Sequence, residues 1–188
     1  VELIAVNADA QDLQKTRAHT KVRIGREITK GLGTGMNPEI GWRAAQEQEA
    51  EIKESLLGSS MIFITCGLGG GCGSGASPFV AEAAKKSGAL TLAVVTTPFS
   101  FEGAKRLEIA KESLRKLKSK VDTLITISND KLLLTLEPKI TVDNAFWFCD
   151  EILRQAVQGI SDLIILPGII TVSYTHLRAH ETSLHLVC

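Results

Sequence analysis

Four apolar runs divide the chain. They cover residues 1–6, 61–65, 89–96 and 121–127, and each contains few polar positions. Short continuous apolar runs are typical of strands that are covered on both faces, as in a parallel sheet. The pattern therefore predicts four strands, and those at 1–6 and 61–65 are expected to be buried.

The segments between and after these runs carry apolar residues three or four positions apart. This spacing predicts amphipathic helices over 47–57, 102–119 and 142–166. A fourth helix is predicted with Ser77 as N-cap and Pro78 at its first position, and with Gly88 just past its end. Strands that alternate with helices form parallel, doubly wound sheets. We therefore expect an α/β fold with a doubly wound, mostly parallel sheet.

Composition narrows the function classes. The 188 residues contain 21 basic and 21 acidic side chains, so the charge excess that non-specific nucleic-acid binding requires is missing. No apolar run is long enough to span a bilayer, and there is no signal-peptide pattern. The four cysteines form no CxxC pair and are interpreted as reduced thiols. These features predict a soluble cytoplasmic protein that neither binds nucleic acid nor inserts into a membrane.

The last 18 residues differ from the rest. They contain three of the four histidines, and His176 and His180 are four positions apart, a spacing that can suit a metal. Residues 172–182 instead match one translated frame of a common transposon-end sequencing adaptor. We therefore expect 171–188 to be a non-native tail outside the fold. Without Arg178 and Glu181 the charge balance stays even, at 20 against 20.

A glycine loop carries the strongest chemical signal. Six of the nine residues 67–75 are glycine, between a predicted strand and a predicted helix. Consecutive N–H groups that face a helix N-terminus can cradle a phosphate. A plain tight turn needs only one or two glycines, so a phosphate loop is favoured.

The identity of the nucleotide stays open at this level. No lysine follows the loop, which argues against a Walker loop. Gly71, Gly73 and Ala76 fit the spacing of a dinucleotide fingerprint, but Thr96 stands where an acidic residue is required. An NAD-dependent oxidoreductase therefore remains an alternative. A second glycine-rich loop, 31–41, suits a ligand or a plain connection equally well.

The loop resembles the GGGTGTG signature of the tubulin/FtsZ GTPases. The resemblance covers essentially all of 1–170, where several motifs occur in order and at the right spacing: 6–11, 31–41, 98–103, 129–133 and 156–160. The chain is thus identified as a member of that family. The resemblance implies a Rossmann-like GTPase domain that is truncated at both ends, with a central helix at about 142–166.

The resemblance also assigns roles to residues. It places a phosphate cradle at Gly70, Gly71, Cys72, Gly73 and Ser74, and a γ-phosphate loop at Thr34, Gly35 and Met36. It places a ribose-side pair at Glu102 and Arg106, and a guanine pocket at Asn129, Phe146 and Asp150. Each has an ordinary structural alternative: Phe146 alone would be core, Glu102 and Arg106 a solvated helix pair, and Asp150 an exposed carboxylate.

The chemistry of the guanine set is consistent. A carboxylate accepts hydrogen bonds from guanine N1–H and the exocyclic amine, whereas adenine would present an acceptor to it. An amide can meet O6 and N7, and an aromatic ring can stack on the base. Two residues depart from the family pattern: Cys72 replaces the usual threonine with a weaker donor, and Met36 replaces a small residue beside the γ-phosphate.

The family's activity is expected only of a longer parent chain. By resemblance, the parent would bind GTP or GDP, with Mg²⁺ held mainly by the phosphates. It would polymerise head to tail and hydrolyse GTP at the subunit interface. It would act in the cytoplasm at the division-site ring, with membrane-tethering and regulatory proteins as partners. A non-hydrolysing filament-associated module is the alternative.

Catalytic acids are expected to come from a neighbouring subunit. In the family, an Asn-x-Asp-x-x-Asp loop follows the central helix. Here that loop would begin after Ile170, and Ser173 and His176 occupy its two aspartate positions. No catalytic or metal-binding residue is therefore assigned.

Both ends of the family's domain are expected to be missing. The family's first strand and first phosphate loop precede residue 1, and the native sequence is expected to stop at Ile170. We therefore expect 1–170 to be a partial GTP-binding domain that binds nucleotide weakly and does not hydrolyse GTP alone.

Overall fold

The structure is a computed structural model that describes residues 2–135, 141–165 and 184–187. Its strands are β1 Glu2–Asn7, β2 Thr20–Arg23, β3 Met61–Gly67, β4 Leu90–Thr97, β5 Thr123–Ser128 and β6 Leu184–Val187. Its helices are α1 Ala10–Lys15, α2 Pro38–Glu47, α3 Glu49–Leu56, α4 Gly71–Lys86, α5 Ala104–Lys118, α6 Asn129–Leu133 and α7 Val142–Ile165, with a 3₁₀ turn at Ser100–Glu102.

The strands form one parallel sheet in the order β2-β1-β6-β3-β4-β5. The four strands expected from apolar runs are confirmed as β1, β3, β4 and β5. The register pairs Gly67 with Thr96 and Thr97 with Ser128. The carboxyl ends of β3, β4 and β5 therefore lie level, and the loops that follow them share one edge of the sheet.

Helices cover both faces of the sheet, as the doubly wound prediction requires. Along β3, Ile62 and Ile64 face a core shared with α2, α3, α4 and α5. Met61 and Phe63 point to the opposite face, where they meet Leu153 and its neighbours on α7. This alternation follows from the two-residue period of a strand. No helix in the described ranges is long and apolar enough to cross a membrane.

The helix expected over 47–57 is confirmed as α3, Glu49–Leu56. A separate helix, α2, precedes it, and the two are divided at Gln48, with φ −104° and ψ 29°. Gln48 leaves the helical conformation, and its side-chain oxygen accepts a hydrogen bond from Gly25 N at 2.5 Å. The start of α2 was missed, although Asn37 caps Glu39 N and Pro38 occupies the first turn.

The predicted start of α4 is also wrong. The helix begins at Gly71, not Pro78, and Pro78 lies inside it. The early start is possible because α2 and α4 cross with their backbones in contact. A side chain at Gly75 would overlap the carbonyl of Pro38. The expected end is confirmed, since Ser87 is the C-cap and Gly88 follows at φ +84°.

The expectation that 171–188 lies outside the fold differs from the structure. Four of these residues form β6, which pairs in parallel with β1 and β3. Leu186 is in register with both Leu3 and Phe63. β1 and β3 are one strand apart, and their facing backbone groups require a hydrogen-bonding partner, which this short apolar run supplies. The non-native origin of the tail stays a prediction.

Several expectations about the end of the central helix fall outside the described residues. Ile170, after which the acidic loop was expected to be absent, lies beyond the last described residue of α7, Ile165. Ser173, His176 and His180 lie in the same range. The boundary at Ile170 and the loss of the acidic loop therefore rest on the sequence alone and stay predictions.

Candidate functional site at the carboxyl edge of the sheet

The first turn of α4 presents free backbone donors. Gly70 is its N-cap, no side chain caps the helix, and the first turn holds no acidic residue. A Cβ on Gly70 would meet nothing within 4 Å, so the approach to this helix end is open. Gly69, at φ +103°, donates from its backbone N–H to Ser74 Oγ at 2.8 Å. An open, uncapped helix N-terminus is suited to a bound anion.

The remaining glycines of this loop serve packing. A Cβ on Gly71 would overlap Thr34 Oγ1, and one on Gly73 would lie 2.6 Å from Gly67 O. A Cβ on Gly75 would overlap the Pro38 carbonyl oxygen and would lie 2.8 Å from Trp42 N. The glycine richness that predicted a phosphate loop thus has a second cause, namely close backbone contact around α4. Gly70 is the position at which the absent side chain leaves space.

The second glycine loop lies directly against the first. Thr34 is buried and touches the Gly71 backbone, and Asn37 N is within 2.6 Å of where a Gly71 side chain would start. Gly35 and Met36 both have positive φ, +55° and +61°, and Met36 is 41% exposed. The structure therefore brings the residues expected to sense a γ-phosphate to the start of α4.

Glu102 and Arg106 form an ion pair of 2.7 Å, but not on a fully solvated face. The Glu102 side chain is only 12% exposed. Its second oxygen accepts a hydrogen bond from Phe99 N at 2.8 Å and closes the 3₁₀ turn before α5. Arg106 also supplies backbone contact to the glycine loop, since its carbonyl lies 3.1 Å from a Cβ built on Gly69. The ribose-side pair and the phosphate loop are therefore adjacent.

Aromatic packing places the predicted base pocket. Phe99 is fully buried, and Phe146 on α7 meets its ring edge-on with centroids 5.2 Å apart. The 3₁₀ turn after β4 and helix α6 after β5 are joined by a hydrogen bond of 2.8 Å from Ser100 N to Asp130 Oδ1. Phe146 remains 39% exposed, so part of its ring is available to a ligand.

The two polar residues predicted for the base pocket differ in burial, since Asn129 is buried whereas Asp150 is exposed. Asn129 is 5% exposed, and its Oδ1 atom has no hydrogen-bond partner among the described residues. Asp150 makes no ion pair within the same part of the chain, and desolvation raises the pKa of its carboxyl group. A buried, unpartnered amide oxygen is costly unless a ligand satisfies it. Guanine carries both donors and acceptors at its edge, so these residues fit it.

Cys72 lies where the loop meets a cavity of about 400 Å³ between β1 and β3. Burial raises the pKa of its thiol, although the Ala8 backbone N–H donates to the sulfur. The thiol therefore stays protonated and adds no negative charge near an anion. Among the described residues no three His, Cys, Asp or Glu side chains form a metal-binding group.

The sequence analysis missed three residues that shape this edge: Asn37, Asp130 and Ser113. Asn37 precedes Pro38, and that pair of residue types is itself a helix-start signal. Nothing in the local pattern marks Asp130 or Ser113, because their partners are 30 and 39 residues away. Such contacts appear only when the sheet brings its loops together.

Comparisons with known proteins agree on one family. Residues 1–137 match the model described as "Tubulin/FtsZ family, GTPase domain". Cell division protein FtsZ 1 of Thermococcus kodakarensis is 54% identical over 178 residues, covering 95% of this chain and 48% of the relative. Cell division protein FtsZ of Pseudomonas putida is 51% identical, covering 95% and 45%. The chain thus spans about half the length of the curated relatives it matches.

Solved structures show the same similarity. An empty FtsZ dimer from M. jannaschii superposes with a TM-score of 0.87 at 48% identity, covering 92% of this chain and 50% of that one. A GDP-bound CetZ1 monomer from Haloferax volcanii gives a TM-score of 0.73 at 27% identity, covering 85% and 49%.

Proposed function

The chain belongs to the tubulin/FtsZ family of GTPases, and from this premise we propose that it binds GTP and GDP at the carboxyl edge of its sheet. The pairing of an open, uncapped α4 N-terminus with the unpartnered Asn129 oxygen carries the proposal. The first suits phosphates and the second suits a base. We propose further that the parent protein hydrolyses GTP and self-assembles in cell division.

Backbone groups hold the phosphate end in this proposal. Gly70, Gly71, Cys72, Gly73 and Ser74 surround the start of α4, and the 31–37 loop packs beside them. Positive partial charge at the helix N-terminus favours an anion there. Mg²⁺ would be held mainly by the phosphates, because no acidic cluster of the described residues offers an alternative site. The ion supplies charge neutralisation when it is bound.

The base end discriminates guanine from adenine. Asp150 accepts from guanine N1–H and the exocyclic amine, and Phe146 contacts the ring. The Asn129 amide, turned so that its NH2 group faces the base, donates to O6 or N7. Adenine presents an unprotonated N1 to the carboxylate, and two acceptors that face each other lose the interaction. Glu102 and Arg106 lie on the ribose side, next to the glycine loop.

Hydrolysis and assembly are proposed for the parent protein. A similar protein forms a dimer, and the family resemblance implies head-to-tail filaments whose acidic loop completes the neighbouring site. Here residues 163–180, on both sides of Ile170, contain no carboxylate. We therefore propose that 1–170 is a partial nucleotide-binding domain, that 171–188 is a non-native tail, and that no catalytic acid lies in this chain. Localisation to a cytoplasmic division ring, through tethering and regulatory proteins, belongs to the same proposal.

Calorimetric titration of the purified chain tests nucleotide choice. GTP and GDP should bind more tightly than ATP, and NAD should not bind. Equal affinity for ATP and GTP would contradict the guanine pocket, and tight NAD binding would favour an oxidoreductase. Phosphate release should be absent from the chain alone. It should appear when the acidic loop is supplied by a full-length relative whose own nucleotide site has been disabled by substitution. Binding without release in that mixture would favour a non-hydrolysing filament module.

A further inference from the structure

We propose that Ser113 on α5 is a positioning residue for the glycine loop. Its hydroxyl donates to the Ser74 carbonyl oxygen at 2.8 Å, and that oxygen is the acceptor that Pro78 leaves without a helical partner. This inference rests on the nucleotide site proposed above, because the loop it positions is the proposed phosphate cradle.

The need for an outside donor follows from proline chemistry. In an α-helix each carbonyl accepts from the N–H four residues later, and Pro78 has no N–H. The Ser74 oxygen is therefore left without its helical bond in the second turn of α4. Ser74 and Ser113 are only 2% and 3% exposed, so bulk water does not replace the missing donor. A hydroxyl that arrives from another helix does.

Ser74 links its hydrogen bond with Ser113 to the glycine loop. While its carbonyl accepts from Ser113, its Oγ accepts from Gly69 N at 2.8 Å. Gly69 is held at φ +103°, one of several backbone conformations that glycine adopts readily, so the hydrogen bond from its N–H to Ser74 Oγ helps to fix it there. One residue thus joins α5 on one side to the loop on the other.

A second contact makes α5 the support of the loop. The Arg106 backbone lies against Gly69, and Ser113 lies two turns further along the same helix. A shift of α5 relative to α4 would therefore move Gly69 and the Ser74 peptide together. Ser113 is only 3% exposed and its hydroxyl is directed to the Ser74 carbonyl, so its effect on nucleotide binding acts through Ser74.

Proline supplies the decisive variant. Pro78→Ala restores the missing N–H and offers the Ser74 carbonyl its normal helical partner. If Ser113 acts through the Ser74 carbonyl, Ser113→Ala should matter only while Pro78 is present. The four proteins of this cycle are wild type, Ser113→Ala, Pro78→Ala and the double variant. Ser87→Ala is the matched control, because it removes a 2.7 Å hydroxyl-to-carbonyl bond at the far end of α4.

Amide hydrogen exchange, followed by NMR on the nucleotide-free full chain, measures directly how well the backbone of the glycine loop is protected. Ser113→Ala should lower the protection of Gly69 N–H about fivefold, as expected for loss of a typical neutral hydrogen bond. The double variant should match Pro78→Ala, and Ser87→Ala should leave the protection unchanged. The proposal is overturned if Gly69 loses protection equally in both backgrounds. It is also overturned if Phe63 in β3 loses protection by the same factor, since that reports global stability.

GTP titration of the same proteins measures the effect on nucleotide affinity. The Kd should rise about fivefold in Ser113→Ala and return in the double variant. Unchanged affinity in Ser113→Ala, with Gly69 less protected, would overturn the role in nucleotide binding. If the wild-type chain binds no guanine nucleotide, the proposed function fails. The exchange cycle still decides in that case whether Ser113 positions the loop.

Discussion

Glu102 holds Phe99 in place by accepting a hydrogen bond from its backbone N–H at 2.8 Å. The Phe99 ring in turn carries Phe146, which meets it edge-on. Glu102, proposed for the ribose side, and Phe146, proposed for the base pocket, are therefore linked through Phe99. The Glu102–Arg106 ion pair is the smaller part of this arrangement, because the Arg106 side chain is 41% exposed.

Two substitutions at Glu102 separate these contributions. Glu102→Gln keeps an acceptor oxygen for Phe99 N and loses only the ion pair, so the free energy of unfolding should fall by less than about 1 kcal/mol. Glu102→Ala leaves the Phe99 N–H unpaired and should cost about 1–3 kcal/mol. GTP affinity should fall further in the alanine variant. Urea unfolding and GTP titration measure both; equal losses in the two variants would contradict the turn-closing role.

Gly75 is predicted to be a packing residue. Gly75→Ala forces a methyl group into the Pro38 carbonyl at the α2–α4 crossing, which should lower the free energy of unfolding by about 1–3 kcal/mol or more. Gly159→Ala is the matched control, because Gly159 lies in α7 with nothing within 4 Å of its Cβ position. It should raise stability by up to about 1 kcal/mol through helix propensity. A neutral Gly75→Ala would show that the two helices separate easily.

Gly70 is expected to behave in the opposite way. Its φ of −91° suits alanine and its Cβ position is open, so Gly70→Ala at this N-cap should lower the free energy of unfolding by no more than about 1 kcal/mol. The methyl group would fill the approach to the α4 N-terminus and weaken GTP binding by roughly tenfold or more, equivalent to about 1.4 kcal/mol. Undiminished GTP affinity in a folded Gly70→Ala chain would mean that the phosphates lie elsewhere.

Asp150 should decide which base is bound. Asp150→Asn replaces an acceptor with a group that also donates, so GTP affinity should fall about 10- to 100-fold. Xanthosine triphosphate presents a carbonyl where guanine has its amine, and it should bind the variant better than the wild type. Competition titrations with GTP and xanthosine triphosphate measure the exchange of preference. Parallel losses for both nucleotides would show that Asp150 does not face the base edge.

The ion pairs of Glu82 should make the stability of the chain depend on pH. Hydrogen bonds from Lys120, and then Lys86, lower the pKa of its carboxyl group from an ordinary value of 4.5 to about 2. Because the folded pKa is depressed, the stabilisation is present above pH 4.5 and is lost as the pH falls toward 2. Glu82→Gln should cost less than about 1 kcal/mol at pH 7, since the pair is partly exposed.

Urea unfolding at about pH 7, 4 and 3 follows this loss. The difference between wild type and Glu82→Gln should shrink as the pH falls. Glu54→Gln, at an exposed carboxylate without an ion pair in the described part of the chain, should show a smaller difference throughout. A constant difference for Glu82→Gln across this range would rule out the charged pairs as its cause.

Local pattern was enough for four of the six strands in the described part of the chain and for their alternation with helices. The runs at 61–65 and 89–96 are confirmed as β3 and β4, because continuous apolar runs suit strands covered on both faces. The parallel doubly wound fold followed from their alternation with helices. The start of α4 was wrong because Pro78 looked like a first-turn proline, whereas a serine 39 residues along the chain from Ser74 supplies the missing donor.

The amino-acid order alone determined the buried strands, the helical faces and the family motifs, because each depends on residues close together in sequence. Tertiary structure alone decided which glycine is open to a ligand: Gly71, Gly73 and Gly75 are filled by neighbouring backbone, and Gly70 is not. It also decided that β6 enters the sheet between β1 and β3. Such outcomes depend on packing and hydrogen-bond satisfaction between distant segments, and no local pattern encodes those.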